Sequence, residues 1–361
     1  MTLSRRTLVT AAIAALPRLA RAEAATLRAA ANQAGLRFGS SSEVAFADGR
    51  DYAGLITTHC DLYAPNLNWK LLAPSSADTL ARLDPNISAA LNARLKLTGY
   101  HLLWHEGVPK WFEPLDRPEA ERAIHAHIAA LGAALARDSV SWNVVNEAIK
   151  PEQGRADGLR ASAFLDKFGT SYFDLAFNQA REAAPQLLRV YNDYDLELAT
   201  PQHEARRTSL LRLIDGLLAR GVPVQAIGLQ CHLRTSTFSR FDPDRFRRFL
   251  AELAARRLPI LITELDVLDL SAGDPAVRDR EVAAIYRRFL SAALDEPAVK
   301  AIVTWGLSDR YTWLNQKERT SFRRPDGEPS RPLLFDADLR PKPAFDAVLQ
   351  TLRNAPRRPM A

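Results

Sequence analysis

Short apolar or β-branched runs recur along the chain at Leu36 to Phe38, Leu55 to Thr58, Leu95 to Trp104, Val140 to Val145, Leu187 to Tyr191, Ala226 to Gln230, Pro259 to Thr263 and Ala301 to Trp305. Runs of this kind predict eight strands. Between most of them, apolar residues return every three or four positions, as in Ala120, Ile124, Ile128, Leu131 and Leu135, which places one apolar stripe on one helix face. Further helices are predicted from about Glu204 to Ala219, Asp244 to Arg256 and Val277 to Leu294. Alternation of strand and helix implies a parallel sheet, and eight such units are what a closed (β/α)8 TIM barrel needs. The expected fold is therefore α/β with a single barrel domain over residues 25–352, a doubly wound open sheet being the alternative.

The two ends of the chain depart from this pattern. Arg5 and Arg6 precede an apolar run from Leu8 to Leu16, followed by small-residue sites at Ala20-Arg21-Ala22 and Ala22-Glu23-Ala24. This is the layout of an export signal over residues 1–24, and Ser4-Arg5-Arg6-Thr7-Leu8 resembles the twin-arginine class. The run is too short to span a bilayer, so no membrane association is expected of the mature form. Export to the periplasm or the medium is the expectation. Residues 353–361 read as a flexible basic tail.

Charge adds little. Residues 1–24 carry four arginines and one glutamate, so the formal net charge of +6 falls to +3 without them. Lys and Arg are scattered through helical segments such as Arg245-Phe246-Arg247-Arg248, with no aromatic-interleaved basic tract, so nucleic acid is not an expected partner. The two cysteines, Cys60 and Cys231, read as free thiols. No glycine-rich phosphate loop follows a strand, Gly35-Leu36-Arg37-Phe38-Gly39 lacking the third glycine, and His101 and His105 form no metal-ligand set on their own. No cofactor or metal is expected. No linker marks a second module, and a monomer is the expected state.

In a parallel barrel the active site lies at the carboxyl ends of the strands, so polar residues that end apolar runs carry the candidate chemistry. The fourth run continues Trp142-Asn143-Val144-Val145-Asn146-Glu147-Ala148, and the seventh reads Ile260-Leu261-Ile262-Thr263-Glu264-Leu265-Asp266. Two glutamates facing each other across a barrel mouth form the pair that cuts a glycosidic bond: one protonates the leaving oxygen while the other attacks or stabilises the anomeric carbon. A strand-end glutamate taken singly more often pairs with an arginine or caps a helix. Gln230 and His232 share a strand face, and the histidine could hold Glu264. Trp104, Tyr194, Trp305, Tyr311 and Trp313 end further runs, offering flat apolar faces suited to sugar rings.

These segments resemble glycoside hydrolase family 10, the endo-β-1,4-xylanase family, from about Phe38 to Phe345. Trp142 to Ala148 is similar to its acid/base motif and Ile262 to Asp266 to its nucleophile motif. Asn192-Asp193-Tyr194, Gln230-Cys231-His232-Leu233, Trp305 to Trp313, and Pro332 to Asp336 with Pro341 to Ala344 match other family segments in order. The resemblance implies a retaining endo-β-1,4-xylanase with Glu147 as general acid/base and Glu264 as nucleophile. It further implies that Asn146 binds the 2-hydroxyl of the sugar being cleaved, that His232 and Asp266 orient Glu264, and that Trp104, Tyr194, Gln230, Trp305 and Trp313 line the substrate cleft. Xylan or its oligosaccharides would be the substrate.

Departures gather on the glycone side. Tyr100 stands where the family has a histidine and Asn143 where it has that histidine's aspartate, which reads as a hydrogen-bonded pair exchanged together. Asn68 stands at the sugar-binding lysine, and Gly107 replaces a glutamine. A related β-glycosidase acting on short or altered β-glycosides is thus the second reading, and a non-catalytic sugar-binding barrel the third.

Overall fold

The computed structural model describes residues 26–41, 50–67, 69–71 and 85–359. The expected export signal and Asn68 lie outside the described residues. Among the described residues the strands are β1 Arg37–Ser41, β2 Leu62–Ala64, β3 Lys96–Leu97, β4 His101–Trp104, β5 Ser141–Asn146, β6 Leu188–Asp193, β7 Ala226–Leu229, β8 His232–Arg234, β9 Ile260–Leu268 and β10 Val299–Thr304. They pair in parallel in the order β3-β2-β1-β10-β9-β7-β6-β5-β4, with β8 added against β9. The two ends of that path, β3 and β4, are halves of one apolar run, interrupted where Gly99 turns with φ +70°. Leu97 of β3 also bridges to Ser139 just before β5. The path therefore closes on itself, and the fold is the (β/α)8 barrel.

The helices follow the apolar spacing and start at polar caps. Asp116 and Glu119 form a reciprocal capping box ahead of Arg117–Leu135. The side chains of Thr200, Asp242 and Asp274 cap Pro201–Ala219, Pro243–Ala255 and Pro275–Leu294, each with proline in the first turn, where its missing N–H costs nothing. The helices bury faces containing Ile128, Phe177, Phe246 and Phe289 against the outside of the sheet. Inside the barrel a second, smaller core is made of Leu62, Ala64, Val190, Ala226, Leu261, Ala301 and Val303. No helix among the described residues is long and apolar enough to cross a membrane.

Two expectations are corrected. Leu55 to Thr58 is not a strand but part of the helix Arg50–His59, and the strand comes later, at Leu62–Ala64. Tyr52, Ile56 and Cys60 are all buried at a spacing of four, a helical stripe that Thr57 and Thr58 disguise as a β-branched run. The basic tail is not free up to its end: Arg358 is buried, and its guanidinium donates to the carbonyl oxygens of Leu294, Glu296 and Val299. Those carbonyls close the last helix–strand turn, and a planar cation with five donors satisfies several of them at once.

Candidate active site

At the carboxyl ends of the strands lies a cleft of about 430 Å³ lined by Glu147 and Glu264 and by Trp104, Tyr194, Gln230, His232, Asp266, Trp305 and Trp313. Asn146 sits beneath it, bonded to Glu147. The structure thus gathers the predicted residues in one place. Tyr311 is not among those lining the cleft and packs instead on Tyr52, with ring centroids 4.4 Å apart.

Strand register explains the arrangement around Glu264. Parallel pairing of β8 with β9 sets His232 beside Asp266, and Glu264 lies two residues before Asp266, on the same strand face. The His232 imidazole consequently spans both carboxylates, Nδ1 at 3.0 Å from Asp266 Oδ1 and Nε2 at 3.2 Å from Glu264 Oε2. The Trp313 indole N–H donates to the remaining Asp266 oxygen at 2.7 Å. Burial alone would lower the His232 pKa, but Asp266 and Glu264 hold its proton and keep it well above the usual imidazole value. Burial likewise opposes ionisation of Glu264, yet the His232 hydrogen bond and charge outweigh it and leave the carboxyl below its ordinary pKa. Glu264 is therefore held as an anion.

The other oxygen of Glu264 accepts from Asn192 Nδ2 at 2.9 Å. Asn192 was legible only as part of a motif, with no role attached. Its amide also donates to Asn146 Oδ1 at 2.8 Å and accepts from the Thr263 hydroxyl at 2.7 Å, so it cross-links β5, β6 and β9 beneath the cleft. Gly228 leaves the room for this: a Cβ there would stand 2.2 Å from Asn192 Oδ1. The signal that finds Asn192 is its register position, directly opposite Asn146 on the neighbouring strand.

Glu147 follows β5 in a left-handed conformation, φ +57°, which a residue with a Cβ adopts only when its surroundings impose it. They do so here. Its amide donates to Asn192 O, its carbonyl accepts from Arg160 Nε at 2.6 Å, and Arg160 also reaches the Tyr194 hydroxyl. Arg206 lies over the Tyr194 ring and binds the Ile149 and Tyr194 carbonyls, while the amide of Ile149 donates to buried Asp193. The Glu147 carboxyl accepts from Gln230 at 3.0 Å and Asn146 at 3.1 Å. Burial, with a contribution from the charge of Glu264, raises its pKa, the Gln230 bond opposing. One carboxyl is thus biased to carry a proton and the other to be ionised, the division of labour that separates an acid from a nucleophile.

The glycone-side departures look different in three dimensions. Tyr100 and Asn143 are not a hydrogen-bonded pair: the Tyr100 hydroxyl meets Ser139 and the Trp142 indole, whereas Asn143 donates to Gly99 O. His101, not Tyr100, stands opposite Asn143 in the register of β4 with β5, so Tyr100 is one position away from facing it. Gly107 is buried. The cleft nevertheless receives Lys70, His101 and Glu106, each within two residues of an altered position. His101 is buried, its Nδ1 has no partner among the described residues, and burial lowers its pKa, which leaves a neutral imidazole facing the cleft. These three were missed because motif alignment fixes a position, whereas the local turn decides which neighbour faces the cavity.

Comparison with known proteins agrees with this geometry. Endo-1,4-beta-xylanase B of Thermotoga neapolitana is 28% identical over 74% of this chain and 73% of its own length. The thermostable celloxylanase of Thermoclostridium stercorarium is 30% identical over 76% of this chain and 73% of its own. The crystal structure of xylanase 10B from Thermotoga petrophila in complex with xylobiose superposes with a TM-score of 0.78 at 26% identity, covering 91% of this chain and 97% of that one. The model of Glycosyl hydrolase family 10 matches residues 26–351, and the protein is a glycoside hydrolase that belongs to that family.

Proposed function

We propose that the protein is a retaining endo-β-1,4-xylanase in which Glu147 is the general acid/base and Glu264 the nucleophile. The observation that carries this reading is the opposite bias of the two carboxyls, Glu264 held ionised by His232 and Asn192 while burial raises Glu147. In the first step Glu264 attacks the anomeric carbon as Glu147 protonates the departing glycosidic oxygen, leaving a glycosyl ester on Glu264. Esterification removes the negative charge of Glu264, so the Glu147 pKa falls and the same carboxylate can take a proton from the attacking water. Retention requires the two carboxyl groups to stand about 5–5.5 Å apart, rather than the wider gap that admits a water between nucleophile and sugar. Names of relatives support xylan as substrate, and open, aromatic-lined walls at Trp104, Trp305 and Trp313 suit a polymer passing through. The Ser4-Arg5-Arg6 segment supports action outside the cytoplasm, where such polymers are met.

The test is reducing-end release from xylan compared with aryl xyloside and aryl cellobioside hydrolysis. Glu147→Ala is expected to lower kcat/KM on xylan by about 10²–10⁴-fold while sparing kcat/KM for aryl glycosides with good leaving groups, whose departure needs no proton, although their kcat falls because the water step loses its base. Glu264→Ala is expected to stop both. Equal losses of kcat/KM on activated and unactivated substrates in Glu147→Ala would contradict the assignment. A second reading, action on short or altered β-glycosides, is favoured by the replaced glycone positions Tyr100, Asn143 and Gly107, and faster turnover of aryl glycosides than of xylan would select it.

A further inference from the structure

We propose that the cleft binds an acidic sugar substituent, a uronic acid branch on the glycan, through Arg234 and Arg319; the proposal rests on the glycan-hydrolase reading above. An exposed arginine is ordinarily a solvated surface charge, and three observations set these two apart. Both line the same cleft as Glu147 and Glu264, one from β8 and the other from the long segment after β10. Both lie over aromatic rings, Arg234 at 5.3 Å from the Phe322 centroid and Arg319 at 5.1 Å from that of Trp313, and those two rings meet edge to face at 4.9 Å. Neither guanidinium has a carboxylate partner among the described residues, whereas Arg206, Arg278 and Arg324 at the same end of the barrel are all paired.

A guanidinium held over a ring keeps N–H groups that no carboxylate of the protein occupies, and these can meet a substrate carboxylate in a bidentate fork. The support beneath is rigid. Arg324, two residues beyond Phe322, enters a buried cluster in which Asp269 joins it to Arg278, and Asn315 and Ser330 exchange two hydrogen bonds across the base of the segment. The loop that carries Arg319 and Phe322 is thus pinned on both sides, and its cation is placed before substrate arrives. A neutral glycan backbone recognises neither positive charge. A chain bearing a carboxylate satisfies both.

The experiment compares xylotetraose carrying one glucuronic acid branch with unbranched xylotetraose. Calorimetric binding to a Glu264→Gln background gives the comparison without turnover, and kcat/KM of otherwise unaltered enzyme gives it with turnover. The branched sugar is expected to bind about tenfold more tightly, as one charge-assisted fork allows. This advantage should disappear in Arg234→Gln/Arg319→Gln and shrink in 0.5 M NaCl, while Arg234→Lys/Arg319→Lys, which keeps the charge and loses the fork, should retain part of it. Equal affinity for the two sugars, or an advantage that survives in the glutamine double variant, would overturn the proposal. Absence of hydrolysis with the binding preference intact would count against the assigned reaction alone.

Discussion

His232 carries two carboxylates on one ring, and the chemistry at the level of single residues turns on that. Asp266 does not touch the reacting centre; it keeps the imidazole protonated, and the imidazolium in turn keeps Glu264 ionised. Asp266→Asn removes one of the two anions, so the His232 pKa falls and Glu264 loses part of its counter-charge. The Glu264 pKa then rises, and the acidic limb of the kcat/KM profile is expected to move to higher pH, with the basic limb, set by Glu147, little changed. An unmoved acidic limb would remove Asp266 from this role. Gly228 acts in the same network by what it lacks. Gly228→Ala pushes on the Asn192 amide from beneath, and a displacement near 1 Å of a group bonded to the nucleophile is expected to cost about 100-fold in kcat/KM, with thermal unfolding moved far less. Glu147 and Glu264 were legible from strand-end position and Asp266 from the family resemblance, while His232 was expected from period-two alternation along one strand that Cys231, φ +63°, in fact breaks between β7 and β8. Asn192 and His101 were not, because their roles come from cross-strand register and from a turn at Gly99, neither of which is written in local hydrophobicity.

At the level of elements, the strands were readable wherever they bury both faces, since a continuous apolar run then announces them. The exception is informative. β2 has only three residues, Leu62–Ala64, too few to stand out, while the preceding helix offers β-branched Ile56, Thr57 and Thr58 in a row. Spacing of four between Tyr52, Ile56 and Cys60 was the better guide. The segment after β10 has no regular period because polar contacts rather than an apolar stripe hold it. Its anchor is Asp269, fully buried between Arg278 and Arg324. Asp269→Ala leaves buried Arg278 without its counter-charge and takes from Arg324 one of two carboxylates, Asp326 remaining, and a loss of about 3–5 kcal/mol is expected in urea unfolding. A loss under about 1 kcal/mol would show that the segment is held by other contacts.

For the molecule as a whole, closure of the sheet is what brings the site together. Glu147 and Glu264 are 117 positions apart in sequence, yet both sit at carboxyl ends of strands in one ring, linked beneath the cleft by Asn146, Asn192 and Gln230. Alternating strands and helices were enough to expect the barrel, and two glutamates at strand ends were enough to expect the pair. Overall charge was uninformative, because its sign says nothing about where Arg234 and Arg319 stand in the cleft. The central claim, that Glu264 forms a covalent bond to the sugar while Glu147 handles the proton, has one direct measurement: inactivation with a 2-deoxy-2-fluoro-β-xylobioside carrying a good leaving group, followed by proteolysis and mass mapping of the adduct. The account predicts a single 2-fluoroxylobiosyl ester on Glu264. An adduct on any other residue, or turnover of substrate with an inverted first product and no adduct, would contradict it.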